Sequence, residues 1–196
     1  MLSRNSGWML VGLMVLGSAL DSASAAAQAR EFRVTRARVN FKSEAPLETI
    51  NGVNNDATGS VSLDPSNLSG ASGTITVPVA SFRTGIDLRD EHLRGSDWLD
   101  AENHPNATFE ITGIRGGSSL TADEDARLQV TGRFTMHGVT RDVTARVRAK
   151  WDGSSGLRAR AQFTIRLDQF NVSINPAVRL KVSNEIQITI DIRASA

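Results

Sequence analysis

Apolar and polar residues alternate one for one through most of this sequence, and no other feature restricts the fold as strongly. The clearest segment alternates polar residues with the isoleucines Ile186, Ile188, Ile190 and Ile192. Successive side chains of a β-strand point to opposite faces, so this pattern places all of these isoleucines on one face. A strand with one apolar and one polar face is typical of an antiparallel sheet that has one side in water.

The same alternation recurs in about eight segments, which predicts an all-β fold. The other segments lie at 32–41, 61–63, 75–79, 109–111, 128–136, 139–151 and 157–167. Turn residues such as His137-Gly138 separate them. In the first segment the apolar phase changes between Val34 and Val39, which predicts a β-bulge. Strands of this number and spacing form a closed antiparallel barrel or a sandwich.

A barrel of this size can be packed solid or can hold one small ligand, and the alternation alone fits both. Aromatic residues make up only 5% of the chain, and there is no tyrosine. Small residues also occupy several inward positions, namely Ala145, Ala149, Ala159 and Ala161. Because small side chains leave volume unfilled, this composition favours a cavity over a packed core.

The segment from Ser81 to Pro105 lacks the alternation. Within it, residues 87–94 predict a short helix that Asp87 caps and Gly95 ends, and residues 96–99 predict a second helical turn. A connection of this length inside a compact barrel usually covers an opening or carries function. We therefore expect an antiparallel barrel of about eight strands with one short helical crossover.

The first 29 residues have the pattern of a secretory signal peptide. Arg4 supplies a positive charge, and an apolar run from Trp8 to Leu20 follows it. Two small-x-small sequences suit cleavage, Ala23-Ser24-Ala25 and Ala27-Gln28-Ala29. The apolar run is shorter than the about 20 residues of a membrane helix, and no second run follows. We expect a signal peptide at 1–29, a mature domain at 30–196 without a transmembrane span, and a periplasmic or secreted location.

Charge and residue content argue against nucleic-acid binding, metal binding and enzyme activity. The 22 basic and 21 acidic residues give a net charge of +1, which predicts no basic face and no nucleic-acid partner. The chain has no cysteine, so it has no disulfide and no thiolate metal site. Its three histidines show neither H-x-H nor H-E-x-x-H spacing, so no metal site is predicted, and His137 is expected to be a turn residue that bonds to backbone. Without a G-x-S-x-G motif, no catalytic residue and no enzyme activity are predicted.

Five motifs give the chain a resemblance to a known family. Two lie in the crossover, Arg89-Asp90-Glu91-His92-Leu93 and Asp97-Trp98-Leu99-Asp100, and Pro105 and Phe109 follow them. The others are the hairpin sequence at 130–141 and the closing segments at 166–170 and 182–186. In this order and at this spacing they resemble the YceI-like, polyisoprenoid-binding family, and the similarity extends from Phe32 to Ile192.

The resemblance implies an extended antiparallel barrel related to the lipocalins. Members of the family hold a polyprenyl or isoprenoid-quinone chain in the barrel, with its polar head near one mouth. No other cofactor is implied. The expected partner is one apolar or lipid ligand, and a homodimer is an alternative to a monomer. The chain departs from the family pattern at residues 35–38 and at Asn171, where a glycine is usual, which bears on the identity of the ligand more than on the fold.

The inward faces and the resemblance together predict a set of ligand-binding residues. These are Arg89, His92, Trp98, Phe109, Phe134, Met136 and Phe163. The apolar members are expected to face one internal tunnel, with the arginine and the histidine near its mouth. In the alternative interpretation, Arg89 belongs to a structural network with Asp90 and Trp98 plugs the barrel end. The rival function is a solid-cored structural or stress-response barrel without a ligand.

Overall fold

A computed structural model describes residues 29–196 of the chain, so the predicted signal peptide lies outside the described residues except for its last position. The strands are β1 (Arg30–Glu44), β2 (Thr49–Asn54), β3 (Thr58–Asp64), β4 (Asn67–Pro78), β5 (Asn106–Arg115), β6 (Asp125–Met136), β7 (Val139–Trp151), β8 (Gly156–Arg166) and β9 (Glu185–Ser195). The helix α1 (Asp87–Arg94) lies between β4 and β5. Short 3₁₀ turns occupy Val79–Ser81, Leu167–Phe170 and Pro176–Val178.

The strands form a closed antiparallel barrel. Each strand from β3 to β9 pairs with the next one along the chain. Strand β1 closes the ring of eight, because residues 30–33 pair with β3 and residues 33–43 pair with β9. Closure leaves no open edge in the ring. The predicted all-β barrel with one helical crossover is confirmed.

Strand β2 lies outside the ring. It pairs with residues 39–44 of β1, on the edge whose first residues pair with β3. Its last residue, Asn54, is buried; the Nδ2 atom donates to the carbonyl oxygen of Pro78 at 2.7 Å, and Oδ1 accepts from the Asp56 N–H at 2.8 Å. This one side chain therefore joins the end of β2 to the end of β4.

The predicted bulge in the first strand is confirmed. The register between β1 and β9 shifts between Val34 and Arg36. Phe32 is buried before the shift, and Ala37 and Val39 are buried after it. The extra residue thus keeps apolar side chains inside although the apolar phase of the sequence changes.

The apolar interior divides into two clusters at opposite ends of the barrel. One cluster is packed from large residues, including Phe32, Val61, Leu63, Leu68, Leu128 and Leu157. The other contains the phenylalanines Phe109, Phe134, Phe163 and Phe170. Ala145 and Ala149 are buried within these clusters, where they allow neighbouring side chains to pack closely. Among the described residues, no helix has the length and apolar character needed to cross a membrane.

The crossover between β4 and β5 differs in detail from the sequence prediction. Helix α1 begins after Ile86 without a side-chain cap, so the prediction that Asp87 caps it is wrong. Gly95 ends the helix as predicted, and its N–H donates to the carbonyl oxygens of Glu91 and His92. Because the backbone of Gly95 is extended, the next residues form a hydrogen-bonded turn rather than the predicted second helical turn.

Candidate ligand-binding cavity

A cavity of about 470 Å³ lies in the half of the barrel that contains the phenylalanine cluster. Its volume is within the about 300–1,000 Å³ that is usual for small-molecule sites. Inward side chains of six ring strands form most of its wall, among them Val39, Phe41, Val77, Phe109, Phe134, Ile165, Ile188 and Ile190. The strand alternation that builds the barrel therefore also makes this wall apolar.

The crossover covers part of the cavity. Phe82, Leu93, Trp98 and Leu99 from this segment all line it. The ring of Phe82 meets that of Phe41 edge to face, with 5.5 Å between the ring centroids. The long connection thus adds apolar surface to the cavity, as expected of a segment that covers an opening.

Exposed hydrophobic residues mark the mouth of the cavity. Ile86 and Leu88 line it and are nevertheless 52% and 61% exposed. Leu47 and Leu180 are also exposed, and the N–H of Leu47 donates to the carbonyl oxygen of Leu180 at 2.9 Å. The residues that follow them in sequence, Glu48 and Lys181, line the cavity. The cavity therefore opens between α1, the β1–β2 turn and the segment that precedes β9.

Arg89 is the most strongly bonded polar residue at the mouth. Its Nη1 donates to Glu48 Oε1 at 2.6 Å, Nε donates to Thr84 Oγ1 at 2.9 Å, and Nη2 donates to the Thr84 carbonyl oxygen at 3.2 Å. The partner of Arg89 in the predicted Arg–Asp network is thus Glu48 rather than Asp90. An arginine has five N–H groups, so a ligand head group could still accept hydrogen bonds from the remaining ones.

Asp90 is buried behind this group, with 3% of its surface exposed. It accepts hydrogen bonds from the N–H of Thr84 at 2.7 Å and from its hydroxyl at 2.6 Å. Burial by itself raises the pKa of the carboxyl, but these hydrogen bonds and the charges of Arg83 and Arg94 outweigh it and hold the pKa of Asp90 below its ordinary value. Asp90 is therefore a structural anion that fixes Thr84 beneath Arg89.

The structure brings most of the predicted ligand-binding residues together. Arg89, His92, Trp98, Phe109, Phe134 and Met136 line the cavity. Phe163 is absent from its wall and packs against the rings of Phe109 and Phe134, at centroid distances of 5.6 and 5.4 Å. The predicted inward alanines Ala145, Ala149, Ala159 and Ala161 also contribute nothing to the wall.

Several lining residues were missed by the sequence analysis. The isoleucines of β9 could have been found, because the alternation already places them inside. Glu48 and Lys181 lie in connections without a periodic pattern, so the sequence carries no signal for them. A further group lies elsewhere in the molecule: Asp100, His104 and His137 place one potential ligand atom each within 4.8 Å of one another.

Basic residues collect on one outer wall of the barrel, although the net charge is only +1. The prediction of no basic face is therefore wrong. An even balance of charges along a sequence does not fix their distribution in space, because strands that are distant in sequence lie side by side in the sheet. Here arginine or lysine side chains from the outward positions of five neighbouring strands meet.

Comparison with known proteins gives consistent matches over most of the chain. The family model of the YceI-like domain matches residues 31–194. A UPF0312 protein of Ectopseudomonas mendocina (strain ymp) is 33% identical over 168 residues, which cover 82% of this chain and 85% of that protein. A UPF0312 protein of Pseudomonas putida (strain F1) is 31% identical over 169 residues, which cover 81% and 84% of the two chains.

Solved structures share the fold. The crystal structure of Burkholderia cenocepacia BcnA has 26% sequence identity and a TM-score of 0.69, and the match covers 81% of this chain and 96% of that one. A Saccharophagus degradans domain, described as polyisoprenoid binding and implicated in plant cell wall breakdown, has a TM-score of 0.67 at 14% identity, with 84% and 98% coverage. Because the family model spans nearly all of the described residues, the chain belongs to the family of YceI-like domains.

Proposed function

We propose that this protein binds one polyisoprenoid or isoprenoid-quinone chain inside its barrel. The observation that carries the proposal is the apolar cavity of about 470 Å³ with its exposed hydrophobic mouth. The similarity to a domain described as polyisoprenoid binding supports it. A barrel that acted only through its outer surface would have no need of such a cavity, since filling it would stabilise the fold.

Apolar burial supplies the binding free energy in this proposal. Each methylene group that leaves water contributes about 0.8 kcal/mol, so a prenyl chain needs few polar contacts. The charged and titratable side chains that line the cavity are Glu48, which pairs with Arg89, and the donors Arg89, His92 and Lys181 at the mouth. Such donors suit a phosphate or a quinone carbonyl as the head group.

Tryptophan fluorescence can test the proposal, because Trp98 lines the cavity and Trp151 packs at the opposite end of the barrel. In Trp151→Phe, Trp98 is the remaining tryptophan of the chain after the predicted cleavage. Titration with a short-chain ubiquinone should quench its emission with saturation. Trp98→Phe, which keeps Trp151, serves as the matched control and should show little quenching. Equal quenching of both variants, or none of either, would contradict binding in the cavity.

The proposal also places the protein outside the cytoplasm, as a carrier rather than an enzyme. Export is supported by Arg4, the apolar run after it and the two small-x-small sequences. Protein purified from its native host should begin near Ala26 or Arg30 on N-terminal sequencing. A chain that begins at Met1 or Leu2 would refute export. A bound ligand recovered chemically unchanged after incubation would agree with a carrier.

A further inference from the structure

Three potential metal ligands meet where the crossover passes the turn between β6 and β7. Asp100 and His104 belong to the crossover, and His137 belongs to the turn. All three are partly buried, and their ligand atoms lie within 4.8 Å of one another. Zinc bonds of about 2.0–2.1 Å in a tetrahedron separate neighbouring ligand atoms by roughly 3.3 Å. The 4.8 Å limit exceeds that spacing, so metal binding would draw the three side chains closer together.

Local contacts position the two crossover residues. The N–H of His104 donates to the carbonyl oxygen of Asp100 at 2.7 Å, which closes one turn of backbone. Asn103 Nδ2 donates to both carboxylate oxygens of Asp100, at 3.0 and 2.9 Å. The ring of His104 lies so close to Gly138 that a Cβ atom added there would be 2.7 Å from its Cε1 atom. A glycine in the turn therefore allows His104 to approach His137.

The hydrogen bond of His137 determines which of its nitrogens can bind a metal. Nδ1 lies 3.0 Å from the carbonyl oxygen of Phe170. A carbonyl oxygen only accepts, so we assign the hydrogen to Nδ1, which leaves a lone pair on Nε2. Metal-binding histidines usually donate their second ring nitrogen to such a partner, which fixes the ring and its tautomer. The ring of His104 stands at 80° to that of His137, with 5.1 Å between the centroids.

We propose that Asp100, His104 and His137 form a binding site for a divalent transition metal, with Zn²⁺ as its best-suited occupant. Two imidazoles and one carboxylate are a common zinc ligand set, with water in the fourth position. A bound ion would join the crossover to the β6–β7 turn. The sequence analysis predicted no metal site because it looked for closely spaced motifs, whereas this group forms only when two distant segments meet in the barrel.

Calorimetric titration of tag-free, chelator-treated protein with ZnCl₂ tests the site. We expect about one Zn²⁺ per chain and a melting temperature that rises with the zinc concentration. His104→Phe keeps a ring of similar shape but removes the ligand atoms, and it should weaken binding more than tenfold. The matched control is His92→Phe, which removes the one histidine outside the group and should bind zinc like the unaltered protein.

Two results would overturn the metal site. One is the lack of both heat and a melting shift with Zn²⁺, and the other is equally tight zinc binding by His104→Phe. If circular dichroism shows that His104→Phe is unfolded, Asp100→Asn replaces it, because asparagine tolerates the positive φ of this position while its amide is a poorer metal ligand. Zinc binding should also be lost at acid pH, since the histidines must be deprotonated to bind.

The basic wall described above carries a second, independent inference. We define the arginine face as the outward residues that line one shallow depression there: Arg36, Arg38, Arg127, Arg146, Arg148, Lys150, Arg158, Arg160 and Arg193. Many of them are direct cross-strand neighbours. Lys150 lies opposite Arg158, and Arg158 lies opposite Arg193. Arg148 lies opposite both Arg127 and Arg160.

This arrangement opposes folding. Like charges directly opposite each other destabilise a sheet. The carboxylates of Asp125 and Asp191 also line the depression. Asp191 pairs with Arg160, and Asp123 pairs with Lys150 at 3.6 Å, so part of the positive charge is offset. No aromatic side chain lines the depression among the described residues, which leaves nothing for nucleic-acid bases to stack on. The guanidinium fork matches phosphate oxygens, and the face therefore fits a surface of phosphate groups.

We infer that the arginine face docks on an anionic membrane through lipid phosphate groups. Clustered arginines are attracted to such a surface at short range, and salt screens this attraction. The inference does not depend on what the cavity binds, since the face lies on the outer wall near the packed end of the barrel.

Vesicle flotation tests the docking. The protein should float with vesicles of phosphatidylglycerol and phosphatidylcholine at low salt, but not with phosphatidylcholine alone. Arg148→Gln with Arg158→Gln should weaken binding roughly 10- to 30-fold, with an unchanged or higher melting temperature. The control, Arg133→Gln with Arg141→Gln, removes the same charge from exposed positions outside the face.

Equal flotation of the two double variants would overturn the assignment of the arginine face. So would the lack of any preference for anionic vesicles. Binding to a DNA duplex with no binding to vesicles would assign the face to nucleic acid instead, and would also contradict the prediction of no nucleic-acid partner.

Discussion

At the scale of single residues, Asp90 holds part of the crossover in place through hydrogen bonds. Its carboxylate is buried and accepts two hydrogen bonds from Thr84, which in turn accepts from Arg89 at the cavity mouth. Replacing one of these residues should therefore affect its neighbours. We expect changes at Asp90 to act mainly on stability, and changes at Arg89 to act on stability and on the mouth together.

Asp90→Asn should lower the free energy of unfolding by about 1–3 kcal/mol at pH 7, because it removes charge-assisted hydrogen bonds. The pKa of Asp90 is lowered in the folded protein. Its contribution is therefore fully present above the unfolded pKa of about 3.9 and is lost as the pH falls through the lower folded value. Melting temperatures of the two proteins should differ at neutral pH and converge in strong acid. The exposed Asp87→Asn is the control; a difference that is constant down to the lowest pH would contradict this role.

Arg89→Lys keeps the positive charge but loses the fork that reaches Glu48 and Thr84. We expect it to lower the free energy of unfolding by about 1–2 kcal/mol, as measured by urea denaturation. Glu48→Gln removes the ionic partner of Arg89 and should cost no more than this, because Glu48 is more exposed. Native stability in Arg89→Lys would show that the fork does not hold the mouth together.

The sequence predicted which residues lie at the site better than it predicted what those residues contact. Phe109, Phe134 and Met136 were expected inside from the alternation, and they line the cavity. The pairing of Arg89 with Glu48 could not be foreseen, since the two residues come from separate connections that only the folded barrel brings together. Phe163 was expected in the wall and instead packs against the rings of other wall residues.

At the scale of elements, two parts of the described chain depart from the regular succession of ring strands: the crossover and strand β2. The sequence analysis predicted the crossover from its loss of alternation, but it did not predict strand β2. The buried positions of this strand are Ile50, Gly52 and Asn54, so its inward face lacks the apolar repeat that marks the other strands. Its position depends on which edge of β1 is available and on the anchor that Asn54 provides.

Asn54→Ala tests that anchor. The change removes hydrogen bonds to the Pro78 carbonyl and the Asp56 N–H and leaves both groups without this partner. We expect the free energy of unfolding to fall by about 1–3 kcal/mol. Asn51→Ala, at an exposed position of the same strand, should change it by about 0.5 kcal/mol or less. Equal losses in the two variants would mean that Asn54 has no special role.

At the scale of the whole molecule, one barrel contains a packed end and a hollow end. Alternation specifies which side chains point inward, but it does not specify how much volume they fill. The inward alanines predicted a cavity, and a cavity exists, yet the alanines lie in packed regions. The hollow results instead from the crossover, which covers that end with Phe82, Trp98 and Leu99.

Two matched substitutions test this division. Ala107 lines the cavity, and Ala149 is buried in the packed end. Ala107→Phe should fill part of the cavity and block uptake of a short-chain quinone, with little loss of stability. Ala149→Phe should overpack its site and lower the free energy of unfolding by about 1–3 kcal/mol, while uptake by the folded protein persists. Thermal melts and quinone titrations of both variants make the comparison. Lost stability in Ala107→Phe together with blocked uptake in Ala149→Phe would contradict the assignment of the cavity to the end that contains Ala107.

The central claim is that the cavity holds a prenyl chain, and its most direct test is to identify what the purified protein contains. Mature protein isolated without detergent should be extracted with organic solvent and the extract analysed by mass spectrometry. We predict a prenyl lipid or isoprenoid quinone, in an amount approaching one per chain, and much less of it in Ala107→Phe prepared in the same way. An extract without such a lipid, together with no uptake of an added short polyprenyl phosphate or quinone, would contradict the claim.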